Sequence, residues 1–79
     1  MNEIKDFDDF CESVSNICNC EILADRLIYE SFTFWSYGTI TKEIRVVDDS
    51  YVEGGYILNE TIADKRTYDQ MLTFIKCIL

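Results

Sequence analysis

The chain has 79 residues, fifteen acids against seven bases, no histidine, and a net charge of −8. That length makes one domain spanning residues 1–79, and at about 60–65% surface burial its stability is expected to be modest. A surface this acidic repels nucleic acid and anionic membranes and attracts basic partners, and the absence of histidine excludes a histidine-based triad or a His-ligated metal. Hydrophobic residues are 48% and charged residues 28%, a globular composition, with no proline and no low-complexity tract.

The start, MNEIKDFDDF, has neither the basic region nor the apolar core of a signal peptide, and no run approaches membrane-spanning length. A cytoplasmic location is expected, with Cys11, Cys18, Cys20 and Cys77 as reduced thiols.

Ile4, Phe7, Phe10, Cys11, Val14, Ile17 and Cys18 recur at three- and four-residue steps, which predicts an amphipathic helix over residues 3–18. Acids fill its other side: the first 25 residues hold seven acids against a single base, Lys5. Cys20 to Arg26 reads as a connection with room for a short strand at Ile22–Leu23.

Leu27 to Val47 reads as a β-hairpin. Ile28, Phe32 and Phe34 share one parity of its first arm, against Tyr29, Ser31, Thr33 and Trp35. In the second arm Ile40, Ile44 and Val46 oppose Thr41, Glu43 and Arg45. A three-residue loop, Ser36-Tyr37-Gly38, puts glycine where φ must be positive and sets Phe34 opposite Ile40. The hairpin then has an oily face to be covered and a second face carrying Tyr29 and Trp35.

Asp48-Asp49-Ser50 is turn composition, and Gly54-Gly55 marks a bulge or loop. Tyr56 to Ile62 is expected as a third strand. A closing helix has two competing starts, at Asn59 or Thr61, or at Thr67, where Gln70 three residues on completes a capping box; the second is preferred. The order α-β-β-β-α predicts an α+β fold in two layers: a three-stranded antiparallel sheet with both helices packed on one face.

No glycine-rich phosphate loop or nucleophile elbow is present, and the cysteines lack paired C-x-x-C knuckles, so no enzyme activity, cofactor or metal is expected. Two surfaces remain as binding candidates. Glu3, Asp6, Asp8, Asp9 and Glu12, extended by Asp48 and Asp49, form a carboxylate array able to replace nucleic-acid phosphates in a basic groove. The plainer reading is a solvated helix face. Tyr29 and Trp35, with Tyr37 at the loop, resemble the aromatic hot spots of protein interfaces; alternatively Trp35 is packed by Tyr56 or a neighbouring strand. Only Lys42 and Arg45 lie near these rings, too few bases for single-stranded nucleic acid.

The acid-loaded start MNEIKDFDDFCES, the hairpin-based sheet and the closing helix TYDQMLTFIKCIL together resemble the small acidic phage proteins called anti-CRISPRs. The resemblance lies in architecture and composition over the whole chain and carries over no functional residue. It implies a phage-encoded inhibitor, working in the host cytoplasm, that blocks the nucleic-acid-binding cleft of a CRISPR effector. Two other functions suit the same residues: an immunity protein capping a basic nuclease toxin, and a homo-oligomeric accessory module, a homodimer for example, in which the Tyr29/Trp35 face or an edge strand pairs with a copy of itself.

Overall fold

The structure is a computed structural model that describes residues 4–47 and 55–79. It belongs to the α+β class. In chain order the elements are α1 (Phe7–Ser15), β1 (Glu21–Ile22), β2 (Arg26–Tyr29), β3 (Phe32–Trp35), β4 (Ile40–Val46), β5 (Tyr56–Ala63) and α2 (Tyr68–Ile78). All five strands are antiparallel neighbours in the order β1-β2-β3-β4-β5, so the sheet has five strands rather than the expected three.

One extra strand, β1, lies in the Cys20–Arg26 connection, close to the short strand expected at Ile22–Leu23; the other comes from a single turn. Leu27 to Trp35 reads as a single arm, but the chain reverses at Glu30-Ser31, with Glu30 at φ 53. Tyr29 pairs with Phe32 and Leu27 with Phe34 across that reversal. Opposite residues of an antiparallel pair share a face, so Leu27 and Tyr29 join Phe32 and Phe34, while Ile28 moves to the Thr33 side. This corrects the expected parity. Leu27 is fully buried, and Tyr29 lies against the core rather than beside Trp35.

The next hairpin forms as expected. Trp35 N–H bonds to Thr39 O at 2.8 Å, Gly38 takes φ 100, and Phe34 sits opposite Ile40. β4 then pairs with β5 over seven residue pairs, with one extra β5 residue, Ile62, bulged between Thr61 and Ala63.

α1 is shorter than the spacing predicts. Asp6 ends it on the N-terminal side: its backbone is extended and its carboxylate accepts the Asp9 N–H at 2.8 Å, a side-chain N-cap. The helix stops at Ser15, and Ile17, expected on the buried stripe, is 40% exposed. α2 opens on the expected capping box, with Thr67 accepting from Gln70 N–H and Gln70 Oε1 accepting from Thr67 N–H. Asp48, Asp49 and Ser50, expected to turn, lie outside the described residues, as does Glu3.

Phe10, Val14, Leu27, Phe34, Met71 and Ile75 are fully buried, joined by Ile40 and Cys11. Phe34 is central: Phe10 of α1 and Phe74 of α2 reach it at ring distances of 6.1 and 5.9 Å. A second tie joins α2 to the hairpin loop, where Tyr68 O–H donates to Ser36 O at 2.6 Å.

Where β5 runs into α2, Asp64 accepts from Thr39 Oγ1 at 2.7 Å and from Lys65 N–H at 2.9 Å. These bonds, Thr39's first, hold the Asp64 carboxyl below its ordinary value of 3.8. A depressed carboxylate stabilises the fold above its unfolded pKa, and that contribution fades as pH falls through the folded value. Melting temperatures taken downward from pH 5 should therefore fall less in Asp64→Asn than in the wild type. Parallel curves would remove Asp64 from the acid response.

The molecule is elongated. Its extents are 52 × 24 × 24 Å and its radius of gyration is 14.4 Å, against about 12 Å for a compact chain of this length. No residue of β4 beyond Ile40 is buried, and every residue of β5 before Ala63 is exposed. The β4–β5 hairpin is thus an arm leaving a small core.

Candidate functional site

Asp6, Asp8, Asp9 and Glu12 are all exposed on α1, opposite Phe10, Cys11 and Val14. Residues three and four apart share a helix face, so Glu12 lies beside both Asp8 and Asp9. Asp8 and Asp9 also sit in the first turn, where the helix dipole favours negative charge. Asp6 is the exception in role, because its carboxylate is committed to the cap. Among the described residues the one salt bridge is Arg26–Asp25, at 3.2 Å. No lysine or arginine among them therefore neutralises the α1 carboxylates. Of the other sequence candidates, Glu3, Asp48 and Asp49 fall outside the described residues.

The aromatic candidates separate. Tyr29 lies on the core side next to Phe32, and partial burial together with the Glu30 carboxylate raises its phenol above the ordinary range. Trp35 stays on the opposite face. The expected Tyr29/Trp35 surface therefore does not exist as one patch. In its place Trp35 contacts Arg26, whose guanidinium carbon is 5.1 Å from the ring centre, and Tyr37, stacked at 5.8 Å and 27°. Trp35 Nε1 donates to Thr41 Oγ1 at 3.1 Å, which anchors the indole to the sheet. Tyr37 is 68% exposed. Arg26 was missed as a member because its pairing with Trp35 depends on the turn at Glu30-Ser31.

Cys11 is buried, Cys18 and Cys20 are half-buried and Cys77 is exposed, all as free thiols. Burial first, then Cys20 and Asp8, pushes the Cys11 thiol up to about 11, so it is a small core hydrophobe rather than a nucleophile. Among the described residues no cluster of three His, Cys, Asp or Glu side chains is placed to hold a metal ion, and no helix is long and apolar enough to cross a membrane.

The fold and these surfaces define an acidic α+β protein whose charged helix and Arg26–Trp35–Tyr37 stack face outward. No protein-family model, curated protein or solved structure matches the chain.

Proposed function

We propose that the protein is a non-enzymatic inhibitor, of the kind the anti-CRISPR resemblance implies, acting in the cytoplasm. It occupies the basic nucleic-acid-binding cleft of a partner, a CRISPR effector, through the carboxylates of α1. One observation carries this reading: Asp8, Asp9 and Glu12 are exposed, adjacent and unpaired with any described cation. Their charge is therefore available to a partner's lysines and arginines, which would otherwise hold phosphate. The layered arrangement, with both helices over one sheet face, is part of the reading. It is supported by the contacts of Phe10 and Phe74 with the same ring, Phe34.

The test is capture of the tagged protein's partner from a CRISPR-bearing host lysate, followed by inhibition of the captured effector. Asp8→Asn, Asp9→Asn and Glu12→Gln, combined, keep side-chain size and leave the Asp6 cap in place. The combination should weaken binding at least tenfold, and wild-type binding should fall steeply with salt. A folded triple variant that inhibits as well as the wild type would sink the proposal.

A further inference from the structure

Among the described residues Tyr37 is the most exposed aromatic, at 68%, yet it stands on a fixed loop. Backbone bonds of 2.8–2.9 Å frame Ser36-Tyr37-Gly38 on every side. Trp35 N–H donates to Thr39 O and Gly38 N–H to Trp35 O, closing the turn. Ser36 N–H donates to Asp25 O, and Arg66 N–H donates to Gly38 O. One face of the Tyr37 ring rests on Trp35, which is itself held by Thr41 Oγ1 and the Arg26 guanidinium. The other face meets water. A ring fixed beforehand loses little freedom when a partner covers it, and tyrosine is among the residues that anchor protein interfaces.

The loop shares its end of the molecule with the starts of both helices. Tyr68 links them: its O–H reaches Ser36 O, and its ring lies 6.3 Å from Phe7 in the first turn of α1. Asp8 and Asp9 lie in that turn, and Asp69 lies in the first turn of α2. Asp25 and Asp64 adjoin the loop through Ser36 and Thr39. With Asp6 these make six acids, against four bases, Lys5, Arg26, Lys65 and Arg66, a net of −2 at this end of a chain of −8. Arg26, the base beside the stack, is answered by Asp25 at 3.2 Å.

Charge therefore selects the occupant. Anions are turned away, a second copy of this chain among them, and cations are drawn in. The ring adds to that, because the face of an aromatic is its negative side. Planarity then decides between the two protein cations. A guanidinium lies flat on a ring and is weakly hydrated, whereas an ammonium is a compact, strongly hydrated charge.

We propose that Tyr37 stacks an arginine of the basic partner, the open face of its ring taking the guanidinium while Asp8, Asp9 and Glu12 take neighbouring cations. This contact rests on the partner-binding reading above and adds to it a residue outside α1. It also sorts the partner's bases. The carboxylates serve lysine and arginine, whereas the ring prefers arginine.

Isothermal titration of the full chain with nona-arginine and nona-lysine peptides tests this, the readout being the ratio of the two dissociation constants. A cation–ring contact at an exposed site is worth about two- to fivefold in affinity. Tyr37→Ala and Tyr37→Leu should each lower the arginine preference by that factor, with an unchanged circular dichroism spectrum, and Tyr37→Phe should keep it. The combined Asp8→Asn, Asp9→Asn and Glu12→Gln variant should weaken both peptides and leave the preference in place. A Tyr37→Ala ratio equal to that of the wild type overturns the proposal and leaves the carboxylate reading standing. A Tyr37→Leu ratio equal to that of the wild type also overturns it, because the contact is then apolar rather than stacked. A folded triple variant that binds both peptides undiminished removes the carboxylate reading, and the proposal with it.

Discussion

Phe34→Ala is expected to leave the protein largely unfolded at room temperature. Phe34 is fully buried and is the ring on which Phe10 of α1 and Phe74 of α2 converge. Removing a buried phenylalanine costs about 3–5 kcal/mol, from lost transfer energy plus the cavity left behind. A chain of this length has on the order of 4–12 kcal/mol to lose. This one belongs near the lower end, because its buried cluster is small and its β4–β5 arm buries little. The substitution therefore removes most of the margin. Urea titrations followed by near-ultraviolet circular dichroism should show no folded baseline, or a midpoint moved almost to zero denaturant. Ile57→Ala, on the exposed arm, should leave the midpoint nearly unchanged. A Phe34→Ala loss below about 1 kcal/mol would mean that the two helices are not held through this ring.

Which parts of this architecture were readable in the residues follows from which local signals are chemically specific. The capping box at Thr67 and Gln70 uses side chains that satisfy particular backbone donors, and it forms as expected. Gly38 supplies a backbone angle other residues resist, and the Phe34–Ile40 register came with it. The turn at Glu30-Ser31 has no such signature. Glutamate is an unusual choice at positive φ, and the one local mark of the reversal is Glu30 itself, a charge on the apolar parity between Ile28 and Phe32. The cost of missing it was one strand, the true side of Tyr29, and the place of Arg26 beside Trp35. The acidic helix was legible as charge, but not the split between Asp6, spent on a cap, and its exposed neighbours. The exposed β5 edge was hidden for a different reason. YILNETIA reads as an ordinary strand, and only its place at the end of the sheet among the described residues gives it an unpaired edge.

Gly38→Ala should be nearly as damaging as Phe34→Ala, although it removes no apolar surface. Gly38 has φ +100, a conformation that L side chains rarely adopt. A Cβ there would stand 2.5 Å from Arg66 O and 3.0 Å from Arg66 N, both backbone atoms with no rotamer to change. Relief requires the two backbones to separate. Separation breaks the 2.9 Å bond from Arg66 N–H to Gly38 O. It also moves the residue before the Thr67 cap and strains the Tyr68–Ser36 bond on which the start of α2 rests. Strain at a left-handed position costs on the order of 1–3 kcal/mol, and a broken hydrogen bond adds about 1 kcal/mol. A loss of about 3 kcal/mol corresponds to a melting-temperature fall of roughly 12–24 °C in a domain this small. Tyr37→Ala is the matched control, since its ring is 68% exposed in the same loop. It should alter tryptophan fluorescence, through the lost stacking on Trp35, while moving the melting temperature little. If Gly38→Ala melts within a few degrees of the wild type, the loop is not pressed against Arg66. The hairpin loop would then be held to the start of α2 by the Tyr68–Ser36 bond rather than by Arg66.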